Sequence, residues 1–298
     1  MLKTKLKDII TLFRPYQYIK NLFIFAPLLF SLNFLNIDDV LKTFVCFIFF
    51  CLTASGVYIF NDIKDLEEDA KHPTKKFRPL PSNKLSKRFA ISLMLVLIAI
   101  GLLGSCFINA KVLIIFVIYL LLNFLYSIKL KHIAIIDISI IAFGFVLRLF
   151  AGSYAINIST SMWIILVTFQ LALFLAIAKR RDDLLLVSQG HRPRKSIDGY
   201  NFEFVNAAMV LMSAIVIFSY ILYTVSSDVI KRVGSNKLYL TSFFVIIGIL
   251  RYMQITFVYN NSSDPTKIVL KDRFLQITII LWLVSFILIL LGGRLHWM

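Results

Sequence analysis

Asn61, Asp62, Asp65 and Asp69 stand in the stretch NDIKDLEED. If the chain is helical there, the three aspartates recur at i, i+3 and i+7 and share one face, with Asn61 at its edge. Carboxylates crowded on one face repel each other unless a cation sits between them. Hard oxygen donors with an amide carbonyl suit Mg²⁺, which prefers one or two carboxylates plus the phosphates of a substrate. A basic run, Lys71, Lys75, Lys76 and Arg78, surrounds and follows His72-Pro73 and suits an anion. A solvated loop with balanced charge is the plain alternative. The acidic face followed at once by the basic run favours a metal–phosphate site.

This polar island, residues 61–85, is flanked by apolar runs at 41–60 and 89–108, each long enough to cross a bilayer. The whole chain shares that character, with 298 residues, 59% hydrophobic, and a mean hydropathy of +0.83. The pattern predicts an all-α polytopic membrane protein of about nine transmembrane helices, bundled around a cavity open to the cytoplasm. The spans fall near 19–35, 41–60, 88–108, 111–128, 133–154, 161–179, 203–225, 238–260 and 274–291. No alternating segments of a membrane barrel occur. The start, MLKTKLKDII, is basic and amphipathic and lacks the short apolar core of a cleavable signal, so the first span is expected to direct insertion. The chain reads as a single domain, 1–298, with cytoplasmic polar loops at about 61–87 and 180–202.

The net charge of +16 invites a nucleic-acid reading, but its placement argues against one. Of 32 Lys and Arg, 24 fall on the side of the N-terminus and the large polar loops and six on the other side. Arg148 and Arg251 lie within spans. The positive-inside rule then puts the N-terminus and both polar islands in the cytoplasm and the C-terminus outside. Cys46, Cys51 and Cys106 lie in spans without metal-like spacing, and the four His residues are scattered, which gives no basis for zinc or haem.

Other candidates lie near the acidic island or inside the membrane. Lys20-Asn21 precedes the first span on the same side, where Lys20 either snorkels to headgroups or grips phosphate. Arg148, about three turns after Asp137, is costly inside a membrane and marks either a polar cavity or an internal lock between helices. A second island, Lys179–Asn201, sets Lys179 and Arg180 beside Asp182 and Asp183, followed by Arg192, Arg194, Lys195 and Tyr200. Arg181 there reads as a stop-transfer flank. Asp264–Arg273 is expected to form a short interfacial helix.

The stretch NDIKDLEEDAKHPTKKFRPLPSNKLS resembles the NDxxDxxxD signature of the UbiA-type intramembrane prenyltransferase superfamily, and the resemblance extends over nearly the whole chain. Within it the sequence looks most like the decaprenyl-phosphate phosphoribosyltransferase branch, on RPYQYIKNLFIFAPLLF, HPTKKFRP, YSIKLKHIAIIDISIIAFGFVLRLFAG, AKRRDDL, RKSIDGY and LKDR. Aromatic prenyltransferases of the superfamily carry a second DxxxD-like motif after span six. Here KRRDDLLLV has adjacent acids instead, which puts an allylic diphosphate donor in doubt.

The resemblance implies a membrane enzyme that moves 5-phosphoribose from phosphoribosyl pyrophosphate to a polyprenyl phosphate. It implies a bacterial cytoplasmic membrane, an active site facing the cytoplasm, and a product used for envelope polysaccharides such as arabinan. By motif, Asn61, Asp65, Asp69 and Asp183 would hold Mg²⁺, with Asp62 beside them as a further catalytic acid. Lys20, Lys75, Arg78, Lys179 and Arg180 would neutralise donor phosphates, and Arg148 and Lys195 would hold the acceptor phosphate or the ribose 5-phosphate. Asn21, Tyr126, Lys129 and Tyr200 join the expected substrate contacts. Two alternatives remain open at this point: prenyl transfer from a prenyl diphosphate to an aromatic acceptor, and a lipid or anion transporter. A homo-oligomer is compatible with the sequence and not specified by it.

Overall fold

The computed structural model describes residues 2–71, 75–190, 195–260 and 264–295. His72, Pro73, Arg192 and Arg194 lie outside the described residues, as does the side chain of Lys195. The described residues are helical, without strands, and eight helices are long and apolar enough to cross a membrane. The chain is a multi-pass membrane protein that divides into two compact units, Met1–Thr160 and Ser161–Met298.

The first unit opens with α1 (Leu2–Phe13), whose Leu12 is buried with Ile59, Leu80, Ala90 and Leu97. The segment expected to be the first continuous span is broken instead. Pro15–Phe25 is a 3₁₀ helix, followed by the short α2 (Ala26–Phe30). Pro15 starts the 3₁₀ run and Pro27, which lacks an N–H, sits in the first turn of α2, so an uninterrupted α-helical ladder is impossible here. Eleven residues rising about 2 Å each still cover about 22 Å.

The three-residue period of this segment suits its partners, because side chains at i and i+3 eclipse. Tyr18 bonds to Ser55 (2.8 Å), Asn21 donates to Cys51 Sγ (3.1 Å) and accepts from Arg148 Nε (2.8 Å), and Ile24 is fully buried. The same side therefore meets α3 (Ile37–Lys64) and α7 (Ile136–Ala155). At Gly152 of α7 the Ile24 carbonyl comes so close that a Cβ would collide with backbone rather than with a movable side chain. Gly152→Ala is expected to cost about 1–3 kcal/mol as overpacking. The check is the thermal midpoint of detergent-solubilised protein, which should fall by several degrees; an unshifted midpoint would mean that the 3₁₀ segment gives way freely.

The acidic motif sits at the far end of α3. This helix is well started: the Asn36 side chain accepts from the Asp38 and Asp39 N–H groups, and those two acids complement the helix dipole. After α4 (Leu66–Lys71) the chain passes a 3₁₀ turn at Lys75–Phe77 to α5 (Lys87–Ile108), which lies along α3. Asn109 alone joins α5 to α6 (Ala110–Ile128), in line with the expected spans 88–108 and 111–128. It caps α6 through Val112 N–H (2.9 Å) and donates to the Tyr154 carbonyl (2.8 Å), fixing the turn to the end of α7. Phe50, Phe116 and Tyr119 fill the core beneath the motif, with Phe50 edge-on to Phe116 at 5.1 Å.

The second unit contains α8 (Met162–Ser188), α9 (Phe202–Val225), α10 (Ser227–Val233), α11 (Ser242–Phe257), α12 (Pro265–Lys271) and α13 (Arg273–Leu295). The expected short helix near Asp264–Arg273 is α12. α8 continues nine residues past the expected end of its span, so the second charged island begins on rigid helix. Arg181, expected as an exposed flank, is buried instead. It donates to the Thr256 carbonyl (2.7 Å), Asn260 (2.9 Å) and Asn206 (3.2 Å), tying α8 to α9 and to the end of α11. Its guanidinium also lies 5.2 Å from the Phe257 ring centroid, so its charge serves packing within this unit.

Candidate active site

α3 ends at Lys64 and Asp65 is its cap, yet the helical turn hardly breaks. The Asp65 N–H still reaches the Asn61 carbonyl (2.9 Å), and the Asp69 N–H the Asp65 carbonyl (2.7 Å). The three aspartates keep close to the helical register expected from their spacing. They differ in exposure: the side chains of Asp62 and Asp69 are 3% and 2% accessible and that of Asp65 is 23%.

Each motif residue holds a partner from another part of the first unit. Arg14 donates to Asp62, and Arg78 bridges Asp62 (3.1 Å) and Asp69 (2.6 Å). Lys75 lies 3.4 Å from Asp69. Lys131 pairs with Asp65, and the Ser127 hydroxyl donates to the Asn61 side-chain carbonyl. Lys75 and Arg78, expected to neutralise donor phosphates, are paired with the acids here. Arg14, Ser127 and Lys131 were not anticipated.

Lys129, which was expected to contact substrate, caps the end of α6 with an exposed side chain. The 3₁₀ turn Leu130–His132 carries Lys131 inward to 6% exposure. Two lysines two residues apart point in different directions, and the sequence alone offered no way to choose between them. Arg14 sits at the left-handed entry to the 3₁₀ segment (φ 55°), with its guanidinium 5.5 Å from the Tyr58 ring centroid. Burial opposes the Arg14 charge, but Asp62 leads the neighbours that outweigh it, so its pKa is raised. It remains a cation at any working pH.

Every motif atom offered on this face is a carboxylate or amide oxygen, the donor set that suits Mg²⁺. Among the described residues no three His, Cys, Asp or Glu groups converge to enclose a metal. A metal held here would draw its remaining ligands from substrate oxygens, the usual arrangement for Mg²⁺ beside phosphates.

Deeper in the first unit, Arg148 is 5% exposed on α7. It donates to Asn21 (2.8 Å), the Gly144 carbonyl (2.7 Å) and Tyr119 (3.3 Å), and the rings of Phe50, Tyr119 and Phe145 surround it with centroids at 5.1–5.3 Å. The lock between helices is therefore present. No carboxylate pairs with Arg148 among the described residues. Three of its five N–H groups are engaged by these bonds. Asn21 is fully buried between Arg148 and Cys51, which makes it a support for Arg148 rather than a surface donor. Lys20 and Tyr126 are half-buried in the same unit.

In the second unit Arg180 is 1% exposed and pairs with Asp183 one turn along α8. Lys179 and Asp182 are half-buried on the same helix. Tyr200 is buried at 7% exposure, after the 3₁₀ turn Lys195–Gly199, and packs near Phe204.

Residues 22–186 match the UbiA prenyltransferase family. The decaprenyl-phosphate phosphoribosyltransferase of Mycolicibacterium smegmatis is 32% identical over 94% of this chain and 92% of its own length. The enzyme of that name from Mycobacterium tuberculosis is 29% identical over 91% of this chain and 90% of its own. Among solved structures, a UbiA homolog from Archaeoglobus fulgidus bound to DMAPP and Mg²⁺ superposes with a TM-score of 0.69 at 18% identity, over 94% of this chain and 98% of that one.

Proposed function

The chain belongs to the UbiA prenyltransferase family, and we propose that it transfers 5-phosphoribose from phosphoribosyl pyrophosphate to a polyprenyl phosphate. The observation that carries this reading is the 32% identity, over 94% of the chain, to a relative named for that transfer. The reaction asks for little covalent chemistry from the protein. An acceptor phosphate oxygen forms a bond to the anomeric carbon, and the bond from that carbon to the pyrophosphate oxygen breaks with its electron pair leaving on pyrophosphate. The acceptor phosphate is already ionised at neutral pH, so no catalytic base is needed.

What the protein must supply is charge in the right places. As the leaving bond stretches, negative charge grows on the pyrophosphate, and fixed cations that meet it there lower the barrier. Arg14, Lys75, Arg78 and Lys131 surround the motif in position to do so. Asn61, Asp65 and Asp69 would hold Mg²⁺; the ion supplies Lewis-acid stabilisation of the leaving group. Lys20, Tyr126, Lys179, Arg180, Lys195 and Tyr200 are assigned to donor and acceptor binding, and Arg148 to a phosphate. Asp62 is held by two arginines and serves as the anchor that positions them. We place the active site at the cytoplasmic face of a bacterial inner membrane, with the product serving envelope polysaccharide synthesis.

The test is a membrane assay with labelled phosphoribosyl pyrophosphate, a polyprenyl phosphate and Mg²⁺. Label should move into the lipid phase. Turnover only with a prenyl diphosphate and an aromatic acceptor would keep the family and overturn this activity.

A further inference from the structure

The carboxylates proposed to hold a metal are bonded to the protein's own cations, and this has a consequence for how ligands bind. Asp65 holds Lys131, while Asp69 is bracketed by Arg78 at 2.6 Å and Lys75 at 3.4 Å. Arg78 also reaches Asp62 at 3.1 Å, so one guanidinium occupies two acids at once. Four cations thus face three carboxylates. A divalent ion bound alone to Asp65 and Asp69 would crowd against Lys131 and Arg78 and increase the positive surplus. A diphosphate arriving alone would meet cations still committed to aspartates. Arriving together, the metal replaces the cations on the carboxylates, and the diphosphate replaces the carboxylates on the cations.

We infer that Lys131 and Arg78 are exchangeable partners of the acidic motif, so that a divalent metal and the donor's diphosphate bind as one unit and weakly apart. The burial pattern supports this division. Lys131, at 8% side-chain exposure, is buried enough that leaving its charge unpaired is costly, so it needs a new anion when it leaves Asp65. Asp65, at 23%, is the motif acid open enough to accept a new ligand without dismantling the core. Asp62 keeps Arg14 throughout, which holds the entry to the 3₁₀ segment in place. The inference rests on the proposed metal–phosphate reading of this site and adds to it a coupling between the two ligands.

The experiment measures Mn²⁺ binding by electron paramagnetic resonance on the full chain in nanodiscs. Free Mn²⁺ is fixed, inorganic pyrophosphate is present or absent, and protein-free mixtures serve as blanks. Pyrophosphate should tighten Mn²⁺ binding at least tenfold. In Lys131→Met, Mn²⁺ alone should bind more tightly than to the wild-type chain, and the gain from pyrophosphate should shrink. Arg78→Gln provides the same comparison if the first variant fails to fold. Equal Mn²⁺ affinity with and without pyrophosphate, in protein that still transfers label from phosphoribosyl pyrophosphate, would overturn the exchange and leave the activity standing. No Mn²⁺ binding under either condition would overturn both the exchange and the metal reading.

Discussion

Asp65→Ala should reduce phosphoribosyl transfer by about a thousandfold or more while leaving the protein folded. Removing one donor that acts on charge developing in a transition state costs on the order of 10²–10³ in rate, and a metal's contribution is worth several kcal/mol. Asp65 is expected to lie at the upper end because it combines a metal-ligand role with the pairing of Lys131. Its fold contribution is small by contrast. It is the partly exposed member of the three, it caps a helix through its backbone, and its side chain has one cation partner. Asp62 gives the opposite expectation, since it is 3% accessible and bonded to both Arg14 and Arg78. Asp62→Asn should therefore lower stability as well as activity. Initial rates with labelled donor, set beside thermal midpoints of the two variants, separate these cases. A loss below tenfold in Asp65→Ala at an unchanged midpoint would remove Asp65 from the metal shell.

The acidic motif was legible in the sequence because its physics is local. Three aspartates at helical spacing between two membrane-length apolar runs must share a face, whatever packs around them. All eight long spans were legible for the same reason, and Asn109 fixed the α5–α6 turn. The first segment was misjudged because hydropathy does not distinguish an α-helix from a 3₁₀ run. The prolines at 15 and 27 were the available signal.

The partners of the motif were harder to read, since a cation's pairing depends on contacts distant in sequence. Lys131 lies 66 residues from Asp65 and Arg14 lies 48 from Asp62. Only the turn after α6 decides that Lys131 faces inward and Lys129 outward. Arg181 was misread because a basic residue at the end of a span normally needs no partner, whereas α8 continues and places this one against α9 and α11.

Arg148→Met should leave the chain folded and lower transfer by on the order of 10²–10³-fold, the range expected when a buried charge loses its binding partner. The argument turns on what an internal cation without a carboxylate costs. Burying an unpaired charge is unfavourable, and replacing it with an apolar side chain of similar volume is often neutral or stabilising. Arg148 is surrounded by three aromatic rings, a carbonyl, an amide and a hydroxyl, which temper its charge without cancelling it. Methionine fits such a ring-lined space and prefers it. Against that gain stands the Asn21 side-chain oxygen left without a donor, at about 1–3 kcal/mol if no water reaches it, whereas the Gly144 carbonyl keeps its helical N–H partner. These opposed effects keep the thermal midpoint near that of the wild-type chain, while the positive charge assigned to a phosphate is lost. Arg148→Lys restores charge but not the forked geometry that reaches Asn21 and Tyr119 together, so it should recover only part of the activity. A variant Arg148→Met that unfolds yet regains full transfer at low temperature would make Arg148 a packing residue only. One that is stable and inactive, with a raised KM for a single substrate, would identify which phosphate the charge serves.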